Sequence, residues 1–395
     1  MKKDKIIHVL TDFNSAISTI HTHQLLIRQL ARNFDTIIFI NILNFKFFNN
    51  KKKNTSYLEK KYSNIKFISF KRSKEFFNYF EKIENKIAIN NFGKKFQDFY
   101  IHYLVKRSKI KQFKVLTVDL VSQSVVFEKK HFFKKFLYFL NNKFSSYIVN
   151  VLVGLNIFNK IDICFTTNKN IFNNKKKMGY IRDKFSFYNK VILVNSTAYD
   201  MCFEKKIIKS DKHILYIDYM INHMDNLSQN KKINEEQMSQ HYLRVNKFLN
   251  HLKTIYKKKI VVSIGPQYSI NFTKKFLRGY KVYKNKTFDL IKNSEIIALF
   301  NSTSINPAFI MKKKIIFLST KQMGVKPFYE FNMYPRKSGS PVIDIDRKVN
   351  FSKYDLNKKF NRNKKRIEAF TAKYLSNNQQ TTGYNTIINE IKRYV

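Results

Sequence analysis

Residues 296–320 read IIALFNSTSINPAFIMKKKIIFLST, and the order of residue types in this stretch sets the architecture. The apolar run Ile296–Phe300 has the length of a buried strand and ends in Asn301. Ser302-Thr303-Ser304 then falls at the N-cap and first turn of an expected helix over 306–311, where Pro307 is still tolerable. A Lys run and a second apolar strand over 314–318 follow. Strand, helix and strand in so short a span predict a βαβ unit on a parallel sheet. Backbone N–H groups at a helix start, joined by hydroxyl donors, make an anion pocket suited to phosphate. In an open α/β sheet the ligand lies at the carboxyl ends of the strands, where these residues are expected. A Ser302 that only caps its helix is the alternative reading.

The same alternation extends in both directions. Toward the C-terminus a strand over 342–346 precedes helical stretches over 354–374 and 386–394. Toward the N-terminus lie a helix over 287–292, strands over 279–283, 259–264 and 213–218, and helices over 272–277 and 235–256. The first half repeats the pattern, with strands over 6–10, 36–42, 65–70, 115–120, 161–165 and 191–194 and helices over 21–31, 73–83, 96–107 and 130–153. The polar, Lys-rich stretch near 201–212 marks the junction. The expected organisation is α/β: two Rossmann-like lobes, over 1–205 and 206–350, with a ligand cleft between them, and C-terminal helices over 351–395 of which one crosses back to the first lobe.

A chain of 395 residues suits two such domains. With 39 Phe and 23 Tyr it has ample material for their cores, which excludes a disordered chain. The net charge of +48 calls for an explanation. Lys outnumbers Arg about fivefold, and Asn, Ile, Phe and Tyr are abundant, as an AT-rich codon pool produces. An anionic membrane face, where each nearby Lys contributes about 1 kcal/mol, is the other reading. No nucleic-acid motif accompanies the charge, so nucleic acid is not an expected partner. Only Cys164 and Cys202 are present, with no CxxC and no His/Cys cluster, so no metal site is implied and a cytoplasmic setting is expected. The apolar run near the N-terminus is too short for a signal peptide, and 132–158 is interrupted by Lys and Asn, so membrane contact is expected to be peripheral, at the inner face of the inner membrane.

Residues 283–318, YKNKTFDLIKNSEIIALFNSTSINPAFIMKKKIIFL, resemble the donor-lobe segment of bacterial surface-polysaccharide glycosyltransferases, the relatives of lipooligosaccharide sialyltransferases and polysialyltransferases. Thr287, Leu290, Ser294, Ser302, Thr303, Ser304, Ala308 and Phe317 carry the match. Upstream, YIDYMINHMDNL over 216–227 resembles the segment that opens that lobe, with Asp218, His223 and Asp225 in register. Residues 241–267 resemble the helix and strand that lead to the family's His-Pro motif, but Gly265-Pro266 stands in its place. The resemblance covers about a quarter of the chain. It implies a GT-B fold and an inverting, metal-independent transfer from a nucleotide-activated sugar, CMP-linked if donor choice follows the family, with no cofactor besides that substrate. The acceptor is then a lipopolysaccharide or capsular glycan, free or lipid-linked. Ser302, Thr303, Ser304, Asn301, Gly265, Pro266 and Asp218 are the implied donor contacts, and His223 is the imidazole that takes over from the absent histidine.

Inverting transfer needs a base for the acceptor hydroxyl, supplied by the first lobe. Asp12, just past the first strand, is the first candidate, with a helix-capping role as its alternative; Asp119, in VLTVDL, is the second. His21 is an expected acceptor contact, and the i, i+2 spacing to His23 does not form a shared metal site. The competing functions are a sugar-nucleotide epimerase or inactive relative, which would bind nucleotide without transfer, and a basic membrane- or nucleic-acid-binding protein with no active site.

Overall fold

The computed structural model describes residues 5–11, 24–41, 63–70, 72–94, 98–116, 144–179, 183–204, 212–218, 233–265, 268–300, 302–321, 334–347, 350–377 and 381–395. The described residues divide into two compact units: one runs to Asp200 and takes back Ser376–Val395, and the other spans Met201–Leu375.

The first unit contains β1 (Ile6–Thr11), α1 (Gln24–Asn33), β2 (Thr36–Asn41), β3 (Ile65–Ser69), α2 (Ser73–Glu81), β4 (Ile87–Asn90), α3 (Phe99–Arg107), β5 (Lys111–Leu116), α4 (Ser145–Gly154), β6 (Ile161–Thr166), α5 (Lys169–Lys176) and β7 (Tyr188–Leu193), and the division at Asp200 falls within α6 (Thr197–Glu204). Its seven strands are all parallel, in the order β3-β2-β1-β4-β5-β6-β7. Because helices cover both faces, β1 and β2 alternate hardly at all and are buried almost throughout. One face packs Ile7, Val9, Phe39 and Phe113 against Leu26 and Leu30 of α1. The other packs Leu10, Ile40 and Ala88 against Phe76, Phe80 and Leu104.

The second unit runs β8 (His213–Ile217), α7 (Glu235–Tyr256), β9 (Ile260–Ile264), α8 (Ile270–Phe276), β10 (Lys281–Lys284), α9 (Thr287–Lys292), β11 (Ser294–Leu299), α10 (Asn306–Ile310), β12 (Lys314–Ser319), β13 (Val342–Asp344) and α11 (Lys353–Tyr374). Its six parallel strands take the order β10-β9-β8-β11-β12-β13. The two long helices start at capping boxes, Asn234 with Gln237 and Ser352 with Asp355.

The last helix, α12 (Gly383–Lys392), packs on the first unit, where Ile387, Ile388 and Ile391 join the α1 face of the core. Its start is clamped. Asp200 accepts the backbone N–H groups of Gly383 and Tyr384 at 2.7 and 3.1 Å. Asn195 accepts from the N–H of Asn377 at 2.7 Å and donates to the Thr381 carbonyl at 2.9 Å. A Cβ on Gly383 would stand 2.3 Å from the Asn195 carbonyl oxygen, so this close approach requires glycine.

Two strands differ from expectation. The sequence pattern does not mark β4, and β5 lies over Lys111–Leu116 rather than over 115–120. The strand KQFKVL buries Gln112 and Lys114, residue types that disguise a buried strand. Asp119 therefore lies three residues beyond the end of β5, outside the described residues. The expected helix over 130–153 is described only in part, as α4; the rest lies outside the described residues.

Candidate functional site

In both sheets the winding reverses once, between β1 and β4 and between β8 and β11. The crevice beyond the carboxyl ends at such a reversal is where open α/β sheets bind ligands. In the second unit Ile217 pairs with Leu299 on one side and with Ser263 on the other. Asp218, Phe300 and the Ser263–Gly265 segment thus end three adjacent strands, and Ser302–Ser304 follows directly.

Asp218 is buried and engaged: Tyr216 Oη donates to it at 3.2 Å and Tyr242 Oη at 3.1 Å, and its backbone N–H donates to the Ser263 carbonyl at 2.9 Å. Burial first, and then the Asp218 charge, raise both phenols well above their ordinary pKa, so they stay protonated donors. The sequence reading missed these two tyrosines, although a Tyr two residues before an Asp on a strand places both side chains on one face.

Ser302 does not cap the α-helix. It heads the 3₁₀ turn Thr303–Ile305, in which the Ser304 N–H donates to Ser302 Oγ at 3.2 Å and the Ile305 N–H to the Ser302 carbonyl at 3.3 Å. The α-helix starts one turn later, at Asn306, with Ile305 as an N-cap that makes no side-chain bond. Pro307 is the reason: it has no N–H to give the residue 303 carbonyl, so an α-helical turn cannot begin there, and i to i+3 bonds take over. Two amides expected to face a ligand are spent within the turn. The Ser302 hydroxyl accepts in that turn and still has its own proton to donate.

A hydroxyl pair and a shared carboxylate add contacts on the same sheet. Ser263 Oγ and Thr287 Oγ1 are 2.6 Å apart, joining β9 to the start of α9. Past β12, Thr320 Oγ1 donates to Asp346 at 2.9 Å, as does the Lys321 N–H at 2.6 Å, while Arg244 of α7 approaches the same carboxylate at 2.5 Å. His241, also on α7, is buried with its ring 5.2 Å from that of Phe300. Thr287 belongs to the sequence match, but its partner Ser263 reads in sequence as one polar residue in an apolar strand.

Gly265 follows β9, and its carbonyl accepts from the Tyr268 N–H at 3.1 Å. Pro266, Asn301, His223, Asp12, Asp119 and His21 lie outside the described residues. The structure therefore brings together Asp218, Gly265 and Ser302–Ser304. At the reversal of the first sheet, Leu10 pairs with Asn90 and the Asn91 N–H donates to the Leu10 carbonyl at 3.0 Å. Among the described residues no group of three or more His, Cys, Asp or Glu side chains is placed to hold a metal ion, and no helix is long and apolar enough to cross a membrane. Both cysteines are buried free thiols whose pKa burial pushes up to about 12.

No protein-family model and no curated protein matches the sequence. Solved structures do match the fold. Arabidopsis thaliana UGT89C1, solved with UDP-L-rhamnose, aligns with 99% of this chain and 98% of its own at 9% identity and a TM-score of 0.51. Medicago truncatula UGT71G1, solved with UDP-glucose, aligns with 98% of each chain at 9% identity and the same TM-score. The chain has the GT-B architecture, two Rossmann-like lobes each built on a parallel sheet. Identity this low speaks to fold, and activity has to be argued from the site.

Proposed function

We propose that the chain is a glycosyltransferase: its second lobe holds a nucleotide-activated sugar, and the sugar passes with inversion, without a bound metal, to a lipopolysaccharide or capsular glycan acceptor. The observation that carries this reading is the set of hydroxyls and the buried Asp218 at the winding reversal of the second sheet, where Ser302 keeps a proton to donate. Fold neighbours solved with UDP sugars support a nucleotide sugar as the ligand class. The resemblance of 283–318 adds the metal-independent mode and the polysaccharide acceptor.

In this reading Ser302, Thr303 and Ser304 donate to the phosphate as the glycosidic bond breaks and charge grows on it. Asp218, committed to two tyrosines, fixes the end of β8. Asp12, which directly follows β1 at the winding reversal of the first sheet, is the base for the acceptor hydroxyl; the earlier end of β5 leaves Asp119 the weaker candidate.

The test is thermal stabilisation by CMP, UDP, GDP and CMP-activated sugars, with and without chelator, because a ligand of the native state raises its stability by mass action. One nucleotide is expected to shift the midpoint, insensitively to chelator. Ser302→Ala with Thr303→Ala is expected to weaken that ligand about tenfold, equivalent to about 1.4 kcal/mol, with little change in the ligand-free midpoint. A folded double variant with undiminished affinity removes the phosphate assignment, and no shift with any nucleotide removes the transferase reading.

A further inference from the structure

The second lobe contains two helices of 22 residues, α7 and α11, whose charge differs sharply. α7 carries two acidic and three basic residues, EEQMSQHYLRVNKFLNHLKTIY. α11, KYDLNKKFNRNKKRIEAFTAKY, carries eight basic residues against two acidic ones. A chain-wide Lys excess alone would load both alike.

α11 buries Leu356, Phe360, Ile367, Phe370 and Tyr374. On a wheel of 3.6 residues per turn, Lys358, Lys359, Arg362, Lys365, Arg366 and Lys373 form a stripe about 120° wide, centred about 120° from the middle of the buried face, and all six are exposed. Two acids offset it in part: Asp355, held in the capping box at the first turn, interacts with Lys358 and Lys359, and Glu368 interacts with Lys365 besides pairing with Lys312 at 3.1 Å, which leaves six cations against two anions. Arg366 donates to the Arg336 carbonyl at 2.5 Å, which sets the exposed Arg336 beside the stripe. At the stripe's edge, in the first turn, Tyr354 is 72% exposed.

We infer that this face of α11 docks on an anionic lipid bilayer. A helix of this length runs about 33 Å, and its cations lie along one outward line, matching a plane of lipid phosphates. An exposed Tyr at the edge of a basic stripe suits the headgroup layer, where amphipathic rings collect. One helix presents a ridge, whereas a nucleic-acid strand is tracked by a basic groove with stacking aromatics, so the geometry favours the bilayer. The inference deepens the proposed function by giving the enzyme a way to reach a lipid-linked acceptor, and it rests on that reading only for its purpose; vesicle binding and donor binding are measured separately.

The experiment is flotation of the full chain with phosphatidylcholine vesicles containing no, or about one-third, phosphatidylglycerol. Binding is expected only with the anionic lipid and is expected to weaken with salt. Lys358→Gln, Lys359→Gln, Arg362→Gln and Lys365→Gln together should lower the partition coefficient at least a hundredfold, at about fivefold per charge. A control that neutralises Lys74, Lys82, Lys176 and Lys177, exposed residues of the first lobe, removes the same net charge and should bind nearly as the native chain does. Both variants should keep the native nucleotide-induced thermal shift, which shows that the donor lobe is folded. Equal losses in the two variants, undiminished binding by the α11 variant, or displacement of the native chain from vesicles by equimolar duplex DNA would each overturn the inference.

Discussion

The two sheets share a topology and bury very different interiors. β8, β9 and β12 of the second lobe, HILYI, IVVSI and KIIFLS, are nearly unbroken apolar runs. The first sheet has polar groups inside it. His8 on β1 donates from Nδ1 to the Ile87 carbonyl at 3.0 Å, and its Nε2 meets Tyr79 Oη at 3.1 Å. Asn90 donates to Gln112 at 2.7 Å, Lys114 Nζ to the Phe92 carbonyl at 2.6 Å, and His102 Nε2 to the Gly93 carbonyl at 2.7 Å. Buried polar groups are tolerable when partnered, but their protonation states become part of the fold. The contrast teaches that part of the first lobe's stability is tied to the protonation state of groups inside its sheet.

The pH dependence is where the contrast is largest. Burial lowers both His8 and His102 from 6.5 to about 4. As pH falls through 6.5 the unfolded chain takes up these protons and the folded chain does not until about pH 4, so stability is full above 6.5, declines between the two values and levels off below. Each histidine accounts for about 3 kcal/mol over that window. In the second lobe burial lowers His213 in the same direction, offset in part by the Leu290 carbonyl that its ring meets at 3.1 Å. Urea unfolding at pH 7 and pH 5, followed by pulse proteolysis that reports each lobe, should show the first lobe's midpoint falling much further. His102→Gln should remove about half of that drop, and parallel declines in the two lobes would break the comparison.

The next effect tests whether the returning C-terminus belongs energetically to the first lobe. Gly383→Ala drives a methyl against the backbone carbonyl of Asn195, which cannot swing aside as a side chain would. A loss of about 2–3 kcal/mol is expected, confined to the first lobe in the same assay. Gly179→Ala, where nothing stands within 4 Å, is the control and should change little. A loss shared by the second lobe would show that the two units unfold as one.

The difference in interiors also explains what the sequence made legible. Helices α7 and α9 lie at their expected bounds: the Asn234 capping box marks the start of α7, whereas α9, which has no side-chain cap, is delimited by the strands on either side. The apolar strands of the second lobe fall within about two residues of expectation, the usual uncertainty of element ends. β4 is only four residues long, and β5 spends two of six positions on Gln112 and Lys114, whose burial depends on partners from distant segments. Hydrophobic periodicity carries no trace of such partnerships. The site divides in the same way: Ser302–Ser304 announces itself through local residue types, whereas the tyrosines around Asp218 and the Ser263–Thr287 pair exist only once β8, β9 and their helices are side by side.

The smallest effect is expected at Asp218, and it separates scaffold from ligand contact. Tyr242→Phe deletes one donor to a buried carboxylate and keeps the ring that stacks on Phe276 at 4.9 Å. Hydrogen bonds to charged groups are worth about 1.5–3 kcal/mol, and the low end is expected because Tyr216 still donates at 3.2 Å. The second lobe's midpoint should fall accordingly while the first lobe's stays put. Nucleotide affinity then decides the role. If Asp218 only fixes the end of β8, affinity in the folded variant falls less than about threefold, equivalent to about 0.65 kcal/mol. A drop comparable to that of the Ser302→Ala, Thr303→Ala variant would mean that the carboxylate, freed from Tyr242, has turned from a ligand group it normally meets. Either result sharpens the contrast between the lobes, because Lys114 and His102, also buried in the first sheet's lobe, should leave nucleotide affinity unchanged when replaced.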